Sequence, residues 1–566
     1  MKHFFIILWL SITLCTTAFG QTISVPSNQY KIDPSKSLAV CNLEVGYINT
    51  MWTGPKTAIS FDVNYVFNNP VTTVSIGNPY TITHPITLQQ FTLYFTQLPL
   101  VFISTENTIL DEPKVLANFR LVESNQTEVV SKIGIEYRGA YSQSLSKKSF
   151  RIEFWEDMEG NTTQDVSLLG MRMDDDWNLQ AMFNEPLRIR SVTNNTLWNL
   201  MHTPYYNDLE PNAKSGIMMK YAEVFVNDEY RGVYGVGEPV DRSLLKLKKY
   251  NNNIRGELYK GITWDGAETF SYLPPYDNNS RFWSGFEMDY PTEITEWNNL
   301  YNFIDFVINE NDANFYSQYA SQFDVDNAVD YYILLNLLRA TDNTGKNIYI
   351  AKYNTNEPYF YVPWDLDGTF GTNWYGGQDG LVDDLLSNGF YNRLWNDCSN
   401  NGFRDRLQNR WNELRNYLLA ETNLQNMFLT NYNLLVDNGV YAREELAWEE
   451  FVLETDQLNY LNDWINNRLS FLDTKFNESC NSLAIQTINQ PAFNIYPIPA
   501  TTTLNIDLES SGNNIFNLYS QVGQLVFSKA ITASQNNFIL PVLANGIYYG
   551  KISGEQQLSF KLIIKH

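Results

Sequence analysis

Asp342 and Asn347 stand five residues apart in the loop Thr341-Asp342-Asn343-Thr344-Gly345-Lys346-Asn347, which follows a helical pattern ending near Ala340. A hairpin pattern comes next, Ile348 to Tyr353 and Tyr359 to Trp364 around Asn354 to Pro358, and directly after it Asp365-Leu366-Asp367-Gly368. This order suits phosphoryl transfer, a reaction that asks little covalent chemistry of a protein and much positioning and charge neutralisation. One carboxylate must sit near the acceptor hydroxyl, while an amide oxygen and a second carboxylate hold Mg²⁺ against nucleotide phosphates. Asp342, Asn347 and Asp365 can supply those groups. The same residues also suit a capped turn at Asp342-Asn343 and a loop carboxylate pair or Ca²⁺ site at Asp365 and Asp367.

Phosphates need a cation as well. Lys147-Lys148 precede one strand pattern and Arg138 ends another. The plain reading of the lysines is a solvated strand end. No G-x-G-x-x-G loop precedes them, so in a phosphotransferase residues 138–144 (Arg-Gly-Ala-Tyr-Ser-Gln-Ser) must cover the phosphates by other means.

The elements that would position these groups fall in two runs. Ile133 to Arg138 and Ser149 to Phe154 alternate as strands across a Ser- and Gly-containing loop, Asn184 to Met201 reads as a helix, and Tyr221 to Val226 and Gly232 to Glu238 are strands around Asn227 to Arg231. Glu238-Pro239-Val240-Asp241 breaks the pattern. From about residue 291 helices take over: Ile294, Trp297, Tyr301, Ile304 and Ile308 share one helical face, and Val325, Val329, Tyr332, Leu335 and Leu338 another. Residues 378–477 read as helical throughout. The fold class is therefore α+β, with a strand-rich lobe at about 96–241, a connector and a helical lobe at about 242–480, the layout of a bilobal protein-kinase-like core.

Of 566 residues, 63 are Asp or Glu against 39 Lys or Arg, a formal charge of −24. Such a surface repels phosphate backbones and argues against nucleic acid, while a basic protein would be drawn to it. Residues 1–20 carry Lys2, an apolar run from Phe4 to Cys15 and Ala18-Phe19-Gly20, the form of a cleavable export signal cut before Gln21. No later segment is apolar enough for a membrane span. Cys41, Cys398 and Cys480 then remain, allowing at most one disulfide. With four scattered His, any metal should be a hard cation on oxygen ligands. Residues 21–95 alternate Val, Tyr, Thr and Phe between turns and read as a β-rich extension without chemistry of its own. From 490 to 566 short strands at roughly ten-residue spacing describe a small β-sandwich.

Two resemblances follow. The stretch from Arg138-Gly139 through Ser142-Gln143-Ser144 to Lys147-Lys148-Ser149-Phe150 is similar to the CotH family of spore-coat and secreted kinases. So are Leu168-Leu169-Gly170-Met171, Asp176-Trp177-Asn178-Leu179, Leu187-Arg188-Ile189-Arg190, the segment Glu223 to Tyr234, Asp342-Asn343 to Tyr349, and Pro363 to Gly371. The C-terminal sandwich, opening at Tyr496-Pro497-Ile498-Pro499 and closing with Asn545-Gly546-Ile547-Tyr548 and a basic tail, resembles the sorting domain of the type IX secretion system, with Ile498 in place of the usual Asn.

The first resemblance implies an atypical protein-kinase fold that uses ATP with Mg²⁺, or Mn²⁺ in its place, to phosphorylate Ser or Thr of a secreted or surface protein, with a basic, Ser-rich acceptor expected. It makes Asp342 the catalytic Asp and Asp365 the metal-binding Asp, with Asn347 beside it and Asp367 as an alternative or shared ligand. Lys148, with Lys147 adjacent, is the candidate phosphate lysine, Arg138 a further nucleotide-binding cation, and Glu238 the residue at the adenine connector. Two positions depart from the family: Glu238-Pro239 replaces Glu-Lys, which removes a cation and a backbone donor, and Glu185 to Arg190-Ser191 replaces an Asp-x-x-x-x-Arg-Asn pattern. The second resemblance implies passage through the periplasm, handling by the type IX machinery, and release or display at the outer-membrane surface. A surface scaffold that keeps the fold without turnover is the competing expectation.

Overall fold

The computed structural model describes residues 20–480 and, within 494–566, all but 509–512, 522–523, 533 and 555–557. The expected export signal lies outside the described residues, apart from Gly20. The described residues up to Cys480 form one compact unit and those from 494 onward a second.

The first unit begins with a seven-stranded mixed sheet, in the order Gln21–Ser24, Lys56–Ser60, Asn64–Val71, Pro79–Thr83, Gln90–Phe95, Leu38–Cys41, Tyr30–Asp33, with one helix at Val45–Met51. Its alternation buries Ile23, Ile59, Phe67, Ile82 and Leu93 on one face. Leu38, Val40 and Tyr94 pack with Leu100, Phe225 and Tyr230, and Asp33 Oδ2 accepts the Tyr230 N–H at 2.9 Å, which seats this extension on the next element.

That element is a closed barrel of seven strands: Glu128–Arg138, Ser149–Trp155, Asp176–Gln180, Glu229–Gly237, Met219–Val226, Leu100–Ser104 and Val115–Val122, the last pairing back to the first. Period-two patterning turns Val101, Phe119, Ile133, Ile135, Ile152 and Trp177 inward. Asn227 and Asp228, both at positive φ, make the tight turn between two barrel strands, as hairpin twist requires. Glu128–Arg138 pairs antiparallel with Ser149–Trp155 so that Arg138 faces Ser149 at the end of the ladder.

The single helix of the strand-rich region runs Arg190–Met201, six residues later than the pattern of apolar residues indicates. Pro186 disfavours helix at Glu185, and Arg188 holds a left-handed backbone at φ 57°. Glu185 instead caps the helix, accepting from the Arg190 N–H at 2.7 Å and the Ser191 N–H at 3.1 Å.

Helices follow at Asn298–Asn309, Asp312–Gln322 and Val325–Leu338, then Gly389–Leu394, Phe403–Asn416, Glu421–Asp437, Val440–Ala447 and Gln457–Phe476. Residues 378–388 are not helical, contrary to the continuous pattern expected there. The expected face of the first of these helices is shifted: Leu300, Phe303, Ile304 and Val307 are buried, while Ile294 precedes the helix and is exposed. Val325–Leu338 is buried on all sides and acts as a central post. A five-stranded sheet, ordered Phe282–Trp283, Phe286–Tyr290, Glu257–Gly261, Ile348–Lys352, Tyr359–Pro363, leans on it. Asn327 fixes that contact, donating to Tyr361 O at 3.0 Å and accepting from Tyr361 N at 2.7 Å. The largest apolar core runs continuously across residue 241, joining Val233 and Val240 to Leu244 and the helices.

Cys398 and Cys480 form a disulfide, and Cys41 is free and buried. His202 lies in the core between Asp330 and Asn327, at 2.9 and 3.0 Å. The second unit has a three-stranded and a four-stranded antiparallel sheet around Leu504, Phe516, Leu518, Ile552 and Leu562, a small β-sandwich. Among the described residues no helix is long and apolar enough to cross a membrane.

Candidate active site

The central helix ends as Arg339 turns left-handed, at φ 50°, and the next turn, Thr341–Thr344, carries Asp342. Asn343 is the pin of the site. Its buried Nδ2 donates to both Asn347 O and Trp364 O, each at 2.7 Å, and Trp364 N donates to Asn347 O at 3.1 Å. Three segments that the sequence sets apart, those of Asp342, Asn347 and Asp365, therefore meet at one side chain. Sequence reasoning reads Asn343 only as part of a capped turn, because its two acceptors are backbone groups of residues later in the chain.

Asn347 and Asp365 both hold left-handed backbone, at φ 57° and 55°. Such conformations cost about 1 kcal/mol or more for residues with a Cβ and concentrate where function sets the geometry. Asp367 lies on the same loop, where its Oδ1 accepts from Gly368 N and its Oδ2 from Asn184 Nδ2, both at 2.7 Å.

The Arg190–Met201 helix clamps that loop. Arg190 donates to Thr369 O at 2.9 Å and Phe370 O at 3.3 Å, and Asn194 donates to Leu366 O and Thr369 Oγ1 at 2.8 Å. Burial pulls the Arg190 guanidinium down to about 10. Asn184, which sequence periodicity places at a helix start, and Asn194 are site-building residues that the pattern misses. The Pro186 break is the one local sign that Asn184 is free to face elsewhere.

Arg138 approaches from the barrel, its guanidinium 5.3 Å from the centre of the Trp364 ring. Burial lowers its pKa, and the nearby Asp365 carboxylate is the first influence opposing this, ahead of Tyr349 and Asp367. The loop after Arg138 depends on Gly139, whose φ of +93° is left-handed and whose Cβ would lie 2.0 Å from Ser142 Oγ. Gln143 closes this turn by donating to Gly139 O at 2.6 Å. Tyr141 then meets the Trp374 ring edge-on at 4.7 Å, so the barrel loop and the loop after Asp367 touch.

Three of the expected nucleotide groups have hydrogen-bond partners within the protein. Lys148 Nζ donates to the carbonyls of Gln143 and Leu145, at 2.6 and 2.5 Å, stapling the 139–146 loop from behind. Lys147 is fully buried on Glu444 Oε1 at 2.7 Å and Val233 O at 2.6 Å, over the Tyr234 ring. Burial, which the Glu444 carboxylate only partly offsets, lowers its ammonium to about 8. Among the described residues neither lysine forms a hydrogen bond or ion pair with Asp342, Asp365 or Asp367. Glu238 is buried as well, and its carboxylate accepts from Lys214 Nζ at 2.6 Å, Met218 N at 2.8 Å and Arg172 N at 3.3 Å. A strand-end lysine pair and a connector Glu give no sign in sequence of the partners that occupy them, which lie far away along the chain.

The electrostatics are those of crowded acids. Burial raises the Asp342 carboxyl, with Asp365 adding to the rise and Lys346 opposing it. Asp367 is raised further, by burial first and then by Asp365 and Glu185. Among the described residues no group of three or more His, Cys, Asp or Glu is arranged around a metal position. Mg²⁺ needs no protein-only cage, since it takes one or two carboxylates and fills its shell with phosphate and water oxygens. Asp365, Asp367 and the Asn347 amide would hold it.

This is a mixed α/β protein whose acidic loops are assembled by a barrel, a hairpin and a central helix. A family model described as CotH kinase protein matches residues 135–472, and a model of a secretion system C-terminal sorting domain matches 494–565. The chain belongs to the CotH kinase protein family. Its C-terminal module marks it for export by the type IX secretion machinery to the cell surface or beyond. No curated protein matches the chain.

Proposed function

We propose that the protein is an exported kinase that transfers the γ-phosphate of ATP to Ser or Thr hydroxyls of a secreted or surface protein, with Mg²⁺ or Mn²⁺. The observation that carries this reading is the Asn343 amide, which gathers the Asp342, Asn347 and Asp365 segments. In this reading the closed barrel is the nucleotide-side lobe of a bilobal, kinase-like core and the helical region the other lobe. The bound metal would neutralise charge on the transferring phosphoryl group. Asp342 orients the acceptor hydroxyl and takes its proton as the new P–O bond forms, while the bond to the β-phosphate oxygen breaks and ADP leaves. Arg138 supplies fixed positive charge beside the phosphates, and the 139–146 loop with Tyr141 excludes water above them.

The competing reading, a surface scaffold without turnover, is favoured by the internal engagement of Lys147, Lys148 and Glu238. Incubating the mature protein with radiolabelled ATP, Mg²⁺ and a basic, Ser-rich acceptor protein separates the two. Label that enters the protein or the acceptor and disappears in Asp342→Ala supports the kinase. No transfer and no Mg²⁺-dependent thermal shift with nucleotide supports the scaffold.

A further inference from the structure

We propose that Glu444 is a positioning residue that couples the loop over the phosphates to the loop carrying Asp365 and Asp367. The inference rests on the kinase reading for the ligands named. Glu444 sits in the Val440–Ala447 helix, far along the chain from either loop, and is completely buried. Its carboxylate accepts from Lys147 Nζ and Val233 N at 2.7 Å and from Arg188 Nε at 3.1 Å. Two cations thus share one buried anion.

Each cation leads to one side of the candidate site. Lys147 is chain neighbour to Lys148, which staples the 139–146 loop through Gln143 O and Leu145 O. Arg188 Nη1 donates to the carbonyls of Met182, Phe183 and Glu185, at 2.9, 2.7 and 2.6 Å, and so fixes the turn that presents Asn184 to Asp367. Taking three charges out of water gains little stability over an apolar cluster of the same volume. It does fix a single arrangement of the two segments, because carboxylate hydrogen bonds are directional where apolar packing is not.

The test is Mg·ATP affinity of the mature full chain, by calorimetry, beside its phosphotransfer rate. Glu444→Gln leaves two buried cations without a counter-charge and can fail to fold, so Glu444→Asp, which keeps the charge but shortens its reach, is measured with it. Both variants are expected to bind Mg·ATP roughly fivefold or more weakly, the size of a modest coupling between sites, and to raise KM for ATP more than they lower kcat. Variants that only melt at a lower temperature, with wild-type affinity in the folded fraction, overturn the proposal. A wild-type protein that binds Mg·ATP and transfers nothing, while Glu444→Asp weakens binding, overturns the kinase reading alone. A wild-type protein that does not bind Mg·ATP overturns both.

Discussion

Asn184 Nδ2 donates to Asp367 Oδ2 at 2.7 Å, joining the turn before the Arg190–Met201 helix to the loop after the hairpin. The same Nδ2 donates to Trp374 O at 2.8 Å, and Gly376, at φ +89°, lets the loop turn close over Asn184 O, where a Cβ would stand 2.3 Å away. One amide therefore orients a candidate metal ligand and the aromatic turn above it.

Removing that amide should loosen the metal side of the site without disturbing the core. Asn184→Ala is expected to raise the Mg²⁺ concentration for half-maximal activity by about 10–100-fold, the usual effect of losing a partner behind a metal ligand. A Mg²⁺ titration of the phosphotransfer rate checks this.

Arg190 ties its helix to the loop after Asp367, because its buried guanidinium holds the carbonyls of Thr369 and Phe370. Arg190→Met should lower stability by about 3 kcal/mol, leaving Glu185 buried without its nearby cation. It should also reduce kcat in the fraction that folds. Urea unfolding and initial rates on the same preparation measure the two effects.

Glu268 predicts a pH dependence of stability. It is fully buried beside the Gly345 turn, and burial raises its carboxyl from an ordinary 4.5 to about 8, against hydrogen bonds from Thr263 and Asp265. A carboxyl raised on folding favours the protonated native state, so its contribution is complete below pH 4.5 and is lost as pH climbs through 8. The melting temperature should contain a component that falls across that window and is absent in Glu268→Gln, as thermal scans of both proteins at several pH values would show.

The Cys398–Cys480 disulfide closes a loop of 82 residues at the end of the last helix of the first unit. The double Ser variant should lose about 4 kcal/mol, through a denatured chain freed of that constraint. Its phosphotransfer rate at low temperature should match the parent, since neither Cys is near the acidic loops in the hydrogen-bond network. Denaturant melts and rate assays on the variant test both statements.

Much of the frame was legible because local patterning decides it. The alternation of Ile133 and Ile135 specifies a strand, the Asn227-Asp228 turn a hairpin, and the apolar run from Val325 to Leu338 a buried helix. The spacing of Asp342, Asn347 and Asp365 was legible for the same reason, since a loop, a short hairpin and a loop must bring their ends together. What sequence left open was settled by long-range contacts. Lys147 reads as a strand-end cation until Glu444, 297 residues away, buries it. Glu238 reads as a connector residue until Lys214 and Met218 fill its oxygens. Barrel closure depends on Leu100–Ser104 pairing parallel to Met219–Val226, which no local pattern announces.

Intact-mass analysis of the purified mature protein after incubation with Mg²⁺ and ATP, with and without a basic, Ser-rich acceptor, tests the central claim most directly. The account predicts phosphoryl additions on the acceptor or on the protein itself that vanish in Asp342→Ala and Asp365→Ala. Additions that persist unchanged in the double variant, or their absence from wild type under every condition, would contradict it.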